Sequence, residues 1–401
     1  MNRDIDARSL SSMLGLAIRI GQRLKIHSES ENKKFTVFEA EMRRRLWWAM
    51  VILDARVSEK SDHKDLSLAP TWNCKPPMNV NDSDLHTEMK FAPTISPQAT
   101  ELIFTAIRSE LNDFIRHSTS FLDFSNPILE FIAAPLRLGS ERNDLTGLAN
   151  TINDKYLRYC NLDNPLHFVT VWTARGILAR SSLMEHFSAL SKSSNPQTGA
   201  HRDEGISHAL RVLECDTHIL ASPLTKRFCW WFLHLQFPLP AYLYIAQDLK
   251  RRPFQENAKR SWRVLSDNYE ARFENMAEME TRANPFFKMF CRVFLQAWTA
   301  RIVAAEPSNI LEKLPGIITS IKRALFAVDS RIEIRDEPRI PFQDPNPNLP
   351  MTSVVDLTTI DTQWLEGDLS VISDIEISHG LSHTIHREDI WVAPLDERMF
   401  F

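Results

Sequence analysis

Hydrophobic residues recur along this chain at steps of three and four, the spacing that gathers them on one face of an α-helix. Met42, Leu46, Ala49, Met50, Leu53 and Val57 trace one such face, and Leu10, Met13, Leu14, Ala17, Gly21 and Leu24 trace another. The same spacing predicts helices at Ala99–Phe121, Leu145–Leu157, Leu166–Leu190, His208–His218, Phe228–Lys250, Ala258–Glu280, Phe286–Ala304 and Asn309–Val328. Pro165 suits the first turn of the helix it opens, where its missing N–H is no loss. Ser28–Phe35, Ser58–Pro97 and Ser191–Gly205 read as polar loops. Glycine is scarce, at 10 residues, and Asn-Gly and Asp-Gly hairpin signals are missing. The expected fold class is all-α, one large multi-helix domain. The apolar stretch Phe228–Leu249 carries His234, Gln236, Pro238, Pro240, Gln247 and Asp248, which are costly in lipid. It therefore reads as a buried helix pair broken at Pro238 and not as a membrane span.

The helix from Phe38 to Arg56 carries three consecutive arginines, Arg43, Arg44 and Arg45, beside the pair Trp47 and Trp48. Glu39 precedes Arg43 by four residues and Glu41 precedes Arg45 by four, acid-before-base pairs worth about 0.2–0.5 kcal/mol each. Asp54 falls within an apolar run and so requires a partner. The triplet reads first as a salt-bridged helix shoulder, with nuclear import or phosphate binding as alternatives. Downstream, Asn79, Asn81, Asp82 and Asp84 alternate like cation ligands, but the glycine and terminal glutamate of a calcium loop are not in place. Asx-turn and helix-capping chemistry is the reading preferred.

Composition narrows the function classes. The formal net charge is −4, so bulk electrostatics do not draw the chain to nucleic acid or an anionic membrane. No signal peptide opens it, since Asn2, Arg3, Asp4 and Asp6 are polar and no apolar core follows. The five cysteines, Cys74, Cys160, Cys215, Cys229 and Cys291, are scattered, which fits reduced thiols rather than structural zinc. From Arg339 to Arg387 acidic residues such as Asp356, Asp361 and Glu366 are interleaved with Leu357, Ile360, Trp364 and Leu365. Such alternation resembles activation segments that order on a partner; a terminal extension, free or docked on the domain, is the plainer reading. His379, His383 and His386 have helical ligand spacing, yet Gly380 and the neighbouring Ser and Thr argue against a helix, and no metal or cofactor is expected. No nucleophile elbow, phosphate-cradling glycine loop or H-E-x-x-H motif is present, so no catalytic residue is named.

Three segments in order resemble the fungal-specific transcription factor domain, the middle homology region found behind zinc-cluster DNA-binding modules. They are Ala17–His27, then Phe38–Trp48 with Leu53–Arg56, then Met78–Leu85. Weaker matches follow at Thr87–Phe91, Ile107–Leu111, Tyr159–Cys160, Asn164–Leu166, Cys229–Trp231 and Ala241–Leu243, so the similarity covers roughly residues 10–300. The residues carried over as family motif are Glu41, Arg43, Arg44, Arg45, Trp47, Trp48, Asp54, Asn81, Asp82 and Asp84. Two departures stand out: the six-cysteine zinc cluster is lacking, and Lys60–Ser61–Asp62–His63 replaces a family glycine after the arginine–tryptophan helix.

The resemblance implies a helical regulatory domain over residues 1–330, truncated at its N-terminus relative to the family, followed by an acidic tail over 331–401. It implies a nuclear regulator (cytoplasm as alternative) of a metabolic or secondary-metabolite gene cluster. Such a chain works through a homodimer, a zinc-cluster partner or a small hydrophobic ligand, without gripping DNA itself. A misassigned start, dimerisation with a zinc-cluster protein, or inhibition of one would each fit the missing cluster. The alternative is an enzyme that folds a hydrophobic substrate in an aromatic pocket drawing on Trp172, Trp230, Trp231, Phe237 and Tyr242, accelerating a cyclisation or rearrangement by positioning. Simple core packing of those five rings competes with that idea.

Overall fold

The computed structural model describes residues 7–58, 68, 72–93, 99–117, 145–192, 199–273, 285–305 and 314–323. Among them the chain is helical, with no strand. The elements are α1 (Ala7–Arg23), α2 (Glu29–Asn32), α3 (Val37–Ser58), α4 (Ile103–Ile115), α5 (Leu145–Lys155) and α6 (Pro165–Lys192). They continue with α7 (Gly199–Ala221), α8 (Cys229–Leu235), α9 (Leu239–Arg251), α10 (Ala258–Phe273), α11 (Pro285–Val303) and α12 (316–323). The chain divides into two units, Met1–Leu325 with Glu397–Phe401 and Phe326–Asp396. The second lies wholly outside the described residues, as do His379, His383, His386 and the acidic tail.

Within the first unit helices pack in succession: α1 on α3, α3 on α4, α4 on α6, α6 on α7, α7 on α9 and α10, and α9 on α11. Leu14, Ile18, Trp47, Trp48 and Met50 build the first core between α1 and α3, closed by Trp72 and Cys74 from the irregular stretch. Ile103, Ile107 and Leu111 of α4 meet Ile152 of α5, Tyr156 just after it, and Val171, Ala174 and Ile177 of α6. Further along, Tyr242, Phe290 and Phe294 pack edge to face, with ring centroids 4.9 Å and 5.9 Å from Tyr242.

Local chemistry fixes several boundaries. Asn164 Oδ1 accepts from the backbone N–H groups of Leu166 and His167, so Asn164 caps α6 and Pro165 takes its first position. The predicted break at Pro238 separates α8 from α9. At the end of α1 Ile26 N–H donates to Gly21 carbonyl and Lys25 N–H to Gln22 carbonyl, the paired bonds of a left-handed helix stop. Lys25 holds φ 57° there, where glycine is usual.

Two boundaries differ from the sequence expectation: the expected polar loop Ser28–Phe35 holds α2, opened by Glu29 and Glu31 in its first turn, and a second helix starts early. The polar stretch expected to be a loop to Gly205 is helix from Gly199, because Ala200, His201, Arg202 and Glu204 carry no helix-breaking side chain. Gly205 sits inside that helix for a steric reason: a Cβ there would meet His186 Nε2 at 2.5 Å and Tyr244 Oη at 2.6 Å. Of the predicted helix over Asn309–Val328, residues 314–323 are described and 316–323 are helical.

Candidate functional site

The arginine–tryptophan segment forms the middle of α3, and each arginine reaches a different part of the chain. Arg43 donates through Nη2 to the Leu24 carbonyl at 2.7 Å and through Nε to Asn32 Oδ1 at 2.8 Å. It thereby binds the carbonyl end of α1, the favourable end for a cation. Asn32 passes the link on to the Ile26 carbonyl at 3.0 Å. Arg44 grips Glu29 of α2 with two N–H groups, at 3.2 Å and 2.5 Å, a bidentate pair. Arg45 donates to Glu41 Oε1 at 3.1 Å and to Asp82 Oδ1 at 2.7 Å.

Two carboxylates complete the clasp. Glu29 Oε2 also accepts Lys75 N–H at 3.2 Å, and Glu29 N–H donates to Asn73 Oδ1 at 2.9 Å. Burial pushes the Glu29 carboxyl upward, but Arg44 and the Lys75 N–H outweigh it and hold it below its ordinary value. Glu41 is fully buried and accepts Met78 N–H at 3.1 Å besides Arg45. Here burial wins over Arg45 and Met78, so the Glu41 carboxyl lies above the ordinary range.

Trp47 and Trp48 are both wholly buried and meet Trp72 edge to face, at 5.5 Å and 5.1 Å between centroids. Trp48 Nε1 donates to the Lys75 carbonyl at 2.9 Å. The Arg116 guanidinium sits 3.7 Å from the Trp72 ring centroid and bonds Asp113. Asp54 is buried and accepts Leu68 N–H at 3.3 Å.

The asparagine–aspartate box is a short 3-10 turn, Asp82–Asp84. Asp84 Oδ2 accepts Asn81 N–H at 3.1 Å, Asn81 Oδ1 accepts Glu101 N–H at 3.2 Å, and Thr100 Oγ1 donates to Asn79 Oδ1 at 2.5 Å. These groups bind backbone and neighbours, and Asp82 binds Arg45. Among the described residues no group of three or more His, Cys, Asp or Glu is placed to hold a metal ion.

The five aromatics drawn on for a pocket fall into two groups. Trp172 stacks on His218 at 3.8 Å, and both Trp172 and Trp231 pack against Val169, Ile219 and Phe232. Trp230 is 46% exposed and touches Trp231 edge to face. Phe237 stacks on Tyr242 at 5.7 Å and belongs with Phe273 and Phe290. Among the described residues no ring contact joins the two groups.

Sequence reasoning missed the long-range partners. Glu29, Asn32, Trp72 and Arg116 complete the arginine–tryptophan site, yet nothing in local spacing pairs them with α3. It also missed a buried network in which Arg272 binds Asp216 at 2.6 Å and 2.7 Å, and Asn268 joins Asp216 at 2.8 Å and accepts from Tyr242 Oη. The available signal was Asn268 and Arg272, four apart on the apolar face of α10.

Residues 2–115, which contain this site apart from Arg116, match the Fungal specific transcription factor domain. The chain is 50% identical over 322 residues to Transcriptional regulator AacuB of Aspergillus aculeatus, covering 80% of this chain and 43% of that protein. It is 40% identical to Transcriptional regulator nsrM of Aspergillus novofumigatus, over 79% of this chain and 42% of the other. Aurofusarin cluster transcription factor aurR2 of Gibberella zeae is 26% identical, over 74% and 43%. The chain thus spans less than half the length of these relatives. No solved structure matches it. Among the described residues no helix is long and apolar enough to cross a membrane. Neither the divided aromatics nor these relatives support the enzymatic alternative. The clasp of α3 onto α1, α2 and the 72–85 stretch is the folded form of the segment that matches, so it is residues 2–115 that resemble the fungal specific transcription factor domain.

Proposed function

We propose that the chain is a nuclear regulator of transcription for a secondary-metabolite gene cluster, acting through a protein partner, a second copy of itself or a small hydrophobic ligand. The observation that carries this is the 50% identity to a transcriptional regulator across 80% of the chain. A relative named for the aurofusarin cluster supports the link to a biosynthetic cluster. The net charge of −4, and the engagement of Arg43, Arg44 and Arg45 within the chain, support action without a direct grip on DNA. A partner surface is offered by α1 and the residue that follows it, where Met13, Leu16, Ile20 and Leu24 are all exposed at steps of three and four.

In this reading residues 1–330 form the regulatory body and the acidic tail over 331–401 recruits the transcription machinery. Deleting the coding sequence in its own host is expected to change transcripts of a contiguous set of biosynthetic genes together. Unaltered transcripts under producing conditions would refute the regulatory reading. Fusing 331–401 to an unrelated DNA-binding domain tests the tail, and a silent reporter would remove its activating role.

A further inference from the structure

We propose that Arg108 anchors a binding site for a small carboxylate with a flat apolar body, at the meeting of α4 with α8. Arg108 is 9% exposed. Its guanidinium carbon lies 5.0 Å from the Phe104 ring centroid and 4.9 Å from that of Trp231. Among the described residues, no carboxylate pairs with this guanidinium and no acceptor takes a hydrogen bond from it. The charge that acts on it is of like sign, the buried Arg56 of α3. Burial first, and Arg56 second, pull Arg108 down to about 9.

Two other buried guanidinium groups of this fold have anionic or carbonyl partners. Arg272 has Asp216 and the Gln236 carbonyl, and Arg301 has the Pro253 carbonyl. Arg108 has two aromatic rings, which attract its charge but accept none of its N–H bonds in the ordinary sense. A guanidinium so little exposed, with no anion beside it among the described residues, is costly to keep and is complementary to a carboxylate, which takes two parallel N–H bonds from it. The apolar body is argued from the neighbours. Trp231 and Phe104 pack against one cluster with Trp172, whose indole N–H is buried and has no acceptor.

The site refines the ligand half of the regulatory reading, but it is tested on purified chain alone, so the two fail separately. Calorimetric titration of the full chain at pH 7 uses 2-naphthoate and its neutral analogue 2-naphthamide. One-to-one binding of naphthoate is expected, at least about tenfold tighter than naphthamide, the factor one charge-assisted hydrogen bond supplies. Arg108→Met is expected to abolish that preference and to melt at or above the temperature of the parent, because it removes an unmatched charge. No preference for naphthoate in the parent chain overturns the site without any variant. A preference that survives in Arg108→Met also overturns it. A melting temperature lowered by more than about 5 °C does so too, by revealing that the guanidinium is needed for folding.

Discussion

Glu41 separates two accounts of what the arginine row contributes. If the ion pairs themselves hold α3 in place, neutralising Glu41 is severe; if the hydrogen-bond geometry does, an isosteric amide suffices. The structure favours the second. Burial raises the Glu41 carboxyl above its ordinary value even with Arg45 beside it, so the pairs to the arginines do not repay the cost of burying its charge. Arg44 and Arg45 keep other anions, Glu29 and Asp82, when the Glu41 charge is removed. Oε1 takes both hydrogen bonds, from Arg45 Nε and Met78 N–H, whereas Oε2 takes none and faces Arg44 only at 3.7 Å.

Glu41→Gln preserves the accepting oxygen and is expected to lie within about 1 kcal/mol of the parent at pH 7, the scale of a hydrogen bond exchanged for a similar one. Glu41→Ala strands two buried donors at about 1–3 kcal/mol each, for a total of about 2–6 kcal/mol. Urea unfolding of the full chain, followed by circular dichroism, reads both values. The pH dependence supplies a second check. A raised folded-state value means the Glu41 contribution is fully present below 4.5 and lost as pH rises through that higher value. Glu41→Gln therefore gains on the parent as pH rises from below 4.5 through that higher value, read from urea unfolding at a series of pH values. A loss of about 3 kcal/mol or more in the glutamine variant at pH 7 would refute this account.

Glu29 has the opposite sign: its folded-state value is depressed, so its contribution is present above 4.5 and lost as pH falls through the lower value. Glu29→Gln should accordingly flatten the acid limb of a stability-against-pH curve. Lys25→Gly should stabilise the chain by about 1 kcal/mol, since glycine takes positive φ without the Cβ conflict, measurable as a rise in melting temperature. Asp216→Ala leaves Arg272 buried and unmatched and should cost about 3–5 kcal/mol, while adding Arg272→Met should recover much of it. A double variant no better than the single one, in denaturant unfolding, would show that the pair is not coupled in this way.

The helices were legible because each buries one stripe, and a stripe leaves a period in the chain. Val37–Ser58, Pro165–Lys192 and Leu239–Arg251 all coincide closely with the apolar spacing, with Asn164, Pro165 and Pro238 marking ends. Gly199–Asp203 was not legible as helix, because polar residues on an outward turn carry no stripe, and the reason for Gly205 lies in His186 and Tyr244, which the chain brings from far away. The same physics limits the site. Glu41 with Arg45 is a local pair and could be read from a spacing of four. Glu29 with Arg44, Asp82 with Arg45 and Asp216 with Arg272 depend on how helices and loops meet, and spacing does not encode that.

The arginine row therefore carries two kinds of information, and only one belongs to α3 itself. As a helix, α3 requires just Trp47, Trp48 and Met50 facing α1, because burying those side chains supplies most of the force that holds the two helices together. What the arginines add is direction. Arg43 reaches the end of α1, Arg44 reaches α2, and Arg45 reaches the turn at Asp82, so three segments of irregular backbone each meet one point on the same helix. Apolar contact is non-directional and would tolerate these segments sliding; a planar fork that must meet a carboxylate or carbonyl does not. On this argument lysine is a poor substitute at Arg44, since a single ammonium cannot reproduce the two N–H bonds to Glu29, even though charge and helix propensity are kept.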